Sequence, residues 1–177
     1  MPVVEEQKKR TLRRPFLVSE SLTSVIPTPF GPAELYCTDN HVSQLRLFLA
    51  PNESQHPEEL DQPLGTQVEQ ALSAYFESGQ RLPKFPLMPA GSEYCQTVWQ
   101  RLVEIPFGQT LTYGELAKQL SSGPRAIAQA CRRNPIPLLI PCHRVVAATG
   151  IGGYSGAVTG PRVEFKRWLL KHEAAVA

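Results

Sequence analysis

No Cys-x-x-Cys pair occurs in these 177 residues; Cys37, Cys95, Cys131 and Cys142 stand far apart. The chain therefore has no paired-cysteine framework, and its thiols suit a reducing, intracellular setting in which free cysteines persist. No apolar run approaches the roughly 20 residues a membrane-spanning helix needs, so no membrane partner is expected. The opening stretch, Met1 to Arg14, is polar and charged and lacks the apolar core of a secretory signal peptide. Internal repeats and a phosphate-binding loop are also missing. The expected location is cytoplasmic in a bacterium, or nuclear in a eukaryote.

What is present is globular in composition. The chain is 42% hydrophobic and 19% charged, enough for a sizeable core in one ordinary domain or a large one with a small companion. Seventeen prolines argue for short elements and many turns. The net charge of +2 hides an asymmetry. Residues 1–91 carry 8 Lys+Arg against 11 Asp+Glu, net −3, and residues 92–177 carry 10 against 5, net +5. A basic C-terminal half suits a polyanion such as nucleic acid, although an ordinary basic surface has the same signature.

Residues 1–14 read as a basic tail. Strands with a hairpin are expected from Ser24 to Phe48, and a loop over 50–64. Val68, Leu72, Tyr75 and Phe76 share one face of a helix predicted over Thr66–Ser78. The Pro/Gly-rich stretch 79–91 reads as a linker, which gives an N-terminal α/β domain over 15–91 and a second domain over 92–177. The second opens with a helix from Ser92 to Glu104, on which Tyr94, Val98, Leu102 and Ile105 align. Thr112 and Glu115 form a capping-box pattern for a helix running to about Leu120. Ser121-Ser122-Gly123 is a tight turn, and Pro124 suits the start of the next helix. Two short helices joined this way make a helix-turn-helix. The small residues of Arg125-Ala126-Ile127-Ala128-Gln129-Ala130 allow a close approach, either to the core or to a DNA groove, and Arg132 and Arg133 suit phosphates. A glycine-rich loop over 149–156 precedes a last helix, 162–173, with Phe165, Trp168 and Leu169 inward.

The chain is organised around Ile140-Pro141-Cys142-His143-Arg144-Val145. The run before it, Asn134 to Ile140, is apolar and proline-punctuated, and reads as buried, extended chain. A lone cysteine is most often a small buried apolar residue. A thiol becomes a nucleophile when a base or cation favours its thiolate; His143 offers the base and Arg144 a positive charge. Glu173 is a candidate for the third group that orients the base.

Together, Pro141-Cys142-His143-Arg144-Val145, the preceding Asn134-Pro135, the helix-turn-helix and the following Tyr154-Ser155-Gly156 resemble the O6-alkylguanine-DNA alkyltransferases. The resemblance covers residues 92–173, and residues 15–91 share only the general plan of the family's N-terminal domain. It implies a two-domain α/β fold: a small N-terminal domain with an antiparallel, ribonuclease H-like sheet, and a mainly helical, winged-helix-like C-terminal domain. It further implies direct-reversal DNA repair. Cys142 would take the alkyl group of a flipped O6-alkylguanine, and less readily of O4-alkylthymine, once and irreversibly. His143 would be the base, through a water, with Glu173 orienting it. Tyr113 would give a proton or hydrogen bond to the leaving guanine. Arg125 would fill the vacated stack from a helix in the minor groove, with Ala126, Ala128, Gln129 and Arg132 at the DNA. Val145, Tyr154 and Ser155 would meet the base, and Asn134 would fasten the turn. Double-stranded DNA with alkylated bases would be the partner of a monomer. Some relatives hold structural zinc; Cys37 and His41 are spaced as one pair, but a structural site takes four ligands, so no metal and no cofactor is expected. Val158 to Pro161 lengthen the loop before the last helix, and Gln129 stands where a smaller residue is common. The competing readings are a non-catalytic binder of alkylated DNA, a cysteine hydrolase and a plain transcription regulator.

Overall fold

The computed structural model describes residues 21–38, 40–49 and 63–177; the basic tail and most of the loop expected over 50–64 lie outside the described residues. Strands β1 (Ser21–Thr28), β2 (Gly31–Cys37) and β3 (Val42–Arg46) form an antiparallel sheet in that order. Thr28 pairs with Gly31, so the first hairpin turns at Pro29-Phe30. Ala33, Leu35 and Cys37 enter the core from one face of β2, and Glu34 between them is buried too, in an ion pair with Arg46. Helix α1 (Pro63–Ser78) covers the sheet with Val68, Leu72 and Tyr75. It starts three residues before the predicted Thr66, because a proline is tolerated in a helix's first turn.

The stretch 79–91 contains no helix, yet it is tied down. Val42 N donates to Pro86 O and Met88 N to Val42 O, both at 2.9 Å. One apolar core runs from Leu35 and Tyr75 through Trp99 and Leu116 to Leu169.

Helix α2 (Glu93–Val103) is capped by Ser92, whose side chain accepts from Cys95 N. Cys95, Val98, Trp99 and Leu102 are its buried residues, whereas Tyr94, expected inward, is 39% exposed. At the first turn of the helix its hydroxyl meets Ser122 Oγ at 2.7 Å instead. Strand β4 (Leu111–Thr112) leads into α3 (Tyr113–Gln119), with the capping box formed at both ends: Glu115 N donates to Thr112 Oγ1 and Thr112 N to Glu115 Oε2. Such a cap contributes about 1 kcal/mol. Helix α4 (Pro124–Arg132) follows the turn, with Ile127, Ala130 and Cys131 buried. Strand β5 (Val145–Val146) runs parallel to β4, pairing Leu111 with Val145 and Thr112 with Val146. Helix α5 (Pro161–Ala174) closes the chain. The result is a two-part α/β fold: an antiparallel sheet with one helix on it, and a mainly helical part carrying the helix-turn-helix.

The run 134–140 is buried as expected but is not extended. It folds into turns, with Ile140 N bonded to Ile136 O at 2.9 Å and Leu138 at φ 73°. Closely spaced prolines restrict their neighbours to few conformations without making them straight, and β3 reaches over to anchor the run through Leu45 N to Pro135 O at 2.9 Å.

Candidate active site

Local geometry places the thiol. Asn134 Nδ2 donates to Ile140 O at 2.8 Å, and Ile136 N donates to Asn134 Oδ1 at 3.0 Å, so one side chain ties the end of α4 to the approach to Cys142. Cys142 N then bonds to Ile140 O at 2.8 Å across Pro141, which has φ −79° and ψ 63°. These are the angles of an inverse γ-turn, and proline's fixed φ suits its centre. Cys142 to Arg144 form a single 3₁₀ turn that runs into β5, so the thiol sits on a turn before the strand. The β4–β5 pairing sets Tyr113, the first residue of α3, beside this segment.

Glu173, on the buried face of α5, is the hub of the polar core. Its Oε1 accepts from His143 Nε2 at 2.8 Å, Arg144 Nη2 at 2.9 Å and Tyr75 Oη at 3.0 Å. Its Oε2 accepts from Arg144 Nε at 2.8 Å and Gly108 N at 3.1 Å. Five donor atoms from three separate segments converge on one carboxylate that is 1% exposed. Burial alone would raise its pKa; the hydrogen bonds and charges of His143 and Arg144 outweigh that and hold it well below the usual carboxylate range. An ionised carboxylate only accepts, so His143 carries its proton on Nε2. Burial depresses the imidazole pKa, against the opposing pull of Glu173, so the ring is neutral. Its Nδ1 is buried without a hydrogen-bond partner among the described residues, a lone pair available to a proton.

Arg144 does not serve the thiol, contrary to expectation. Its Nε–Nη2 edge is spent on Glu173, and Nη1 donates to Ile105 O at 2.8 Å. The cation near the sulfur is Lys166. It is fully buried, with Nζ donating to Val145 O at 2.6 Å and Gly153 O at 3.0 Å. Burial pushes its pKa down to about 8, while Cys142 and Cys131 pull the other way. Burial likewise raises the Cys142 pKa, and the Asn134 amide, Lys166, the local backbone and the Tyr154 hydroxyl all favour its thiolate. The Tyr154 hydroxyl is buried and meets no partner at hydrogen-bonding geometry among the described residues, yet it is near enough to act on the sulfur.

Cys142 lines a cleft of about 280 Å³, shared with Tyr113, Ala128, Gln129, Cys131, Arg132 and the segment 153–158. That is close to the lower end of ligand pockets, about 300 Å³. Burial, with added repulsion from the two thiols, holds the Tyr113 pKa well above its ordinary value, so its hydroxyl stays a donor. Cys131 is a second thiol in the same cleft, raised far above the ordinary range by burial. Arg125, Gln129, Arg132 and Arg133 are exposed on α4, Ala126 and Ala128 half-buried. The structure thus brings Tyr113, Cys142, Tyr154, Ser155, Gln129 and Arg132 to one cleft and puts His143 and Glu173 directly behind it. Arg125 stands outside at the head of α4, and Val145 is buried with its carbonyl bonded to Lys166. A larger cleft of about 620 Å³, between 81–87 and 103–107, contains no thiol.

Sequence reasoning missed Lys166 and Tyr75. A signal for Lys166 existed: it lies seven residues before Glu173 and three after Val163, on the face that α5 buries. Tyr75 is 98 residues from Glu173, and no local pattern announces it. Among the described residues no group of three or more His, Cys, Asp or Glu side chains gathers as a metal site, and no helix is long and apolar enough to cross a membrane.

A helix-turn-helix beside a cleft with a buried thiol, a neutral histidine and a saturated carboxylate defines a class of DNA-associated thiol proteins. Residues 93–175 match the family model for the DNA-binding domain of 6-O-methylguanine DNA methyltransferase. A methylated-DNA–protein-cysteine methyltransferase of Methanosarcina acetivorans is 31% identical over 157 residues, covering 86% of this chain and 97% of that protein. A DNA base-flipping protein of Thermus thermophilus is 35% identical over 156 residues, covering 85% of this chain and 99% of its own. The crystal structure of Mycobacterium tuberculosis OGT in complex with DNA matches with a TM-score of 0.71 at 29% identity, covering 85% of this chain and 91% of that one. This chain belongs to the methylated-DNA–protein-cysteine methyltransferase family.

Proposed function

We infer that this chain repairs alkylated DNA by direct reversal, moving the alkyl group of O6-alkylguanine, and less readily of O4-alkylthymine, onto Cys142. The observation that carries the reading is the shared cleft: the Cys142 thiol and the Tyr113 hydroxyl line one base-sized space beside α4, whose exposed arginines can engage phosphates. Residues 92–177 hold all of these groups. In the resting state the thiol is neutral. His143 Nδ1 takes its proton through a water, and Glu173 stabilises the resulting imidazolium. The thiolate attacks the alkyl carbon, the S–C bond forms as the C–O6 bond breaks, and the electron pair returns to the guanine ring. Tyr113 supplies a proton or hydrogen bond to the ring nitrogen where that charge appears.

The base must leave the stack to reach the cleft. Arg125 fills the gap from α4 in the minor groove, with Ala126 and Ala128 allowing the close approach and Gln129 and Arg132 at the rim. Ser155, Tyr154 and the Val145 backbone border the base, and Asn134 holds the thiol's approach. The thioether has no leaving group, so each molecule acts once, as a monomer. The chemistry needs no metal or cofactor.

The likeness to a base-flipping protein supports a second reading, lesion binding without transfer. Intact-protein mass after mixing with duplex DNA carrying one O6-methylguanine separates the two. A gain of one methyl, mapped to Cys142, is expected. Tight lesion binding with no gain would establish the second reading instead.

A further inference from the structure

One wall of the cleft is a two-residue hairpin. Tyr154 N donates to Ala157 O and Ala157 N to Tyr154 O, each at 2.9 Å. Ser155 and Gly156 between them have φ 46° and 82°. Two successive positive φ values are the mark of a type I′ turn. Glycine adopts that conformation freely, whereas a serine there is uncommon and needs support. The support comes from Arg162, whose Nη1 donates to Ser155 O at 2.8 Å. The same guanidinium lies over the Phe48 ring, 5.5 Å from its centroid. Phe48 follows β3, with its ring edge-on to Tyr154 and Phe165. Arg162 therefore connects the sheet half of the molecule to the wall of the cleft. It stands in the first turn of α5, just after the stretch Val158–Pro161, in which Val158 is 82% exposed at the rim.

We propose that Arg162 is the latch that sets the width of the alkyl pocket, holding the Ser155 carbonyl against the Phe48 platform so that the hairpin cannot swing outward. It is a positioning residue that selects for small alkyl groups, and the assignment rests on the alkyltransferase reading above. A planar guanidinium suits the task, since it can stack on an aromatic face and donate in its own plane at once. The latch also gives the sheet half a part in substrate choice.

The test compares transfer rates from two duplexes, one with a single O6-methylguanine and one with a single O6-benzylguanine, using the full chain and intact-protein mass. In Arg162→Ala the benzyl-to-methyl rate ratio is expected to rise about five- to tenfold, a change of roughly 1.0–1.4 kcal/mol in relative barrier. Phe48→Leu, which keeps an apolar side chain but removes the platform, is expected to move the ratio in the same direction. DNA affinity of Arg162→Ala should match the wild type. An unchanged ratio, with both rates constant or falling together, would overturn the latch and reduce Arg162 to a surface or phosphate-contacting residue. Wild-type protein that transfers neither group would sink the alkyltransferase reading itself, and the latch with it.

Discussion

Cys37 and Cys142 are both buried free thiols, and they live in opposite kinds of surroundings. Cys37 closes β2 within the sheet. Burial pushes its pKa up to about 11, and a contact with Thr23 alone opposes that. Cys142 is also raised by burial, but an amide, an ammonium, a hydroxyl and the local backbone all work against the rise. Enclosure by itself makes a thiol inert. What distinguishes Cys142 is that its cage is built of groups that stabilise the anion once the proton has gone, with an unpartnered imidazole nitrogen behind them.

The comparison breaks most visibly on substitution of the sulfur. Cys142→Ser is expected to abolish methyl transfer while leaving lesion binding within about twofold, because the serine hydroxyl is far less acidic and far less nucleophilic. Cys37→Ser should transfer at the wild-type rate. Intact-protein mass reads both, and methyl appearing on Cys142→Ser protein would move the acceptor elsewhere.

Glu173 gives the next largest effect, on stability. Its carboxylate is held below the ordinary range in the folded chain and titrates near pH 4.3 when unfolded. A depressed pKa contributes stability that is present above the unfolded value and lost as the pH falls through the folded one. Resistance to thermal unfolding should therefore weaken below about pH 4. Glu173→Gln should lose about 3–5 kcal/mol at neutral pH, since Arg144 is left buried without its counter-charge, and its stability should fall less steeply with acid. An acid limb identical to the wild type would mean that the carboxylate is not ionised.

Lys166 ranks third. Lys166→Met removes the cation that favours the thiolate, and a loss of about ten- to a hundredfold in transfer rate is expected, or roughly 1.4–2.7 kcal/mol. The wild-type lysine loses its own charge as the pH passes about 8, so the gap between wild type and variant should narrow between about pH 7 and pH 9. A gap that is flat with pH would make the lysine a purely structural support for Val145 O and Gly153 O.

Which of these features could be read beforehand follows from how local each one is. The capping box at Thr112–Glu115 and the turn at Gly123 are written in four residues and were legible. Cys142 and His143 stand next to each other, so both are legible as candidates, and the His143–Glu173 hydrogen bond is legible because an oriented histidine calls for a carboxylate. Arg144 was given the wrong task because adjacency says nothing of direction: its guanidinium turns away to Glu173. Lys166 escaped because a lysine on a helix is ordinarily solvated, and only the packing of α5 buries it. Tyr75 reaches Glu173 across the whole fold. Tyr94 satisfies a helical repeat and is nevertheless exposed, with its hydroxyl reaching Ser122 instead of the core. The proline run 134–140 was placed correctly in the interior and wrongly as straight chain, because its turns depend on Asn134 and on β3.

The smallest effect is the most exacting for the comparison. Cys37→Ala removes one buried sulfur from the sheet. The backbone hydrogen bond of Cys37 N to Thr23 Oγ1, at 3.1 Å, survives the change, and a thiol is only a weak donor. The loss should be about 1 kcal/mol, a small cavity next to Leu35 and Val42, seen as a modest drop in Tm. Methyl transfer should not change, and native protein treated with iodoacetamide should lose no label relative to wild type, because Cys37 is expected to be closed to the reagent until the chain unfolds. If instead Cys37→Ala slows transfer while Tm holds, the sheet thiol communicates with the cleft. The difference between the two cysteines would then have to be sought beyond the groups that touch each sulfur.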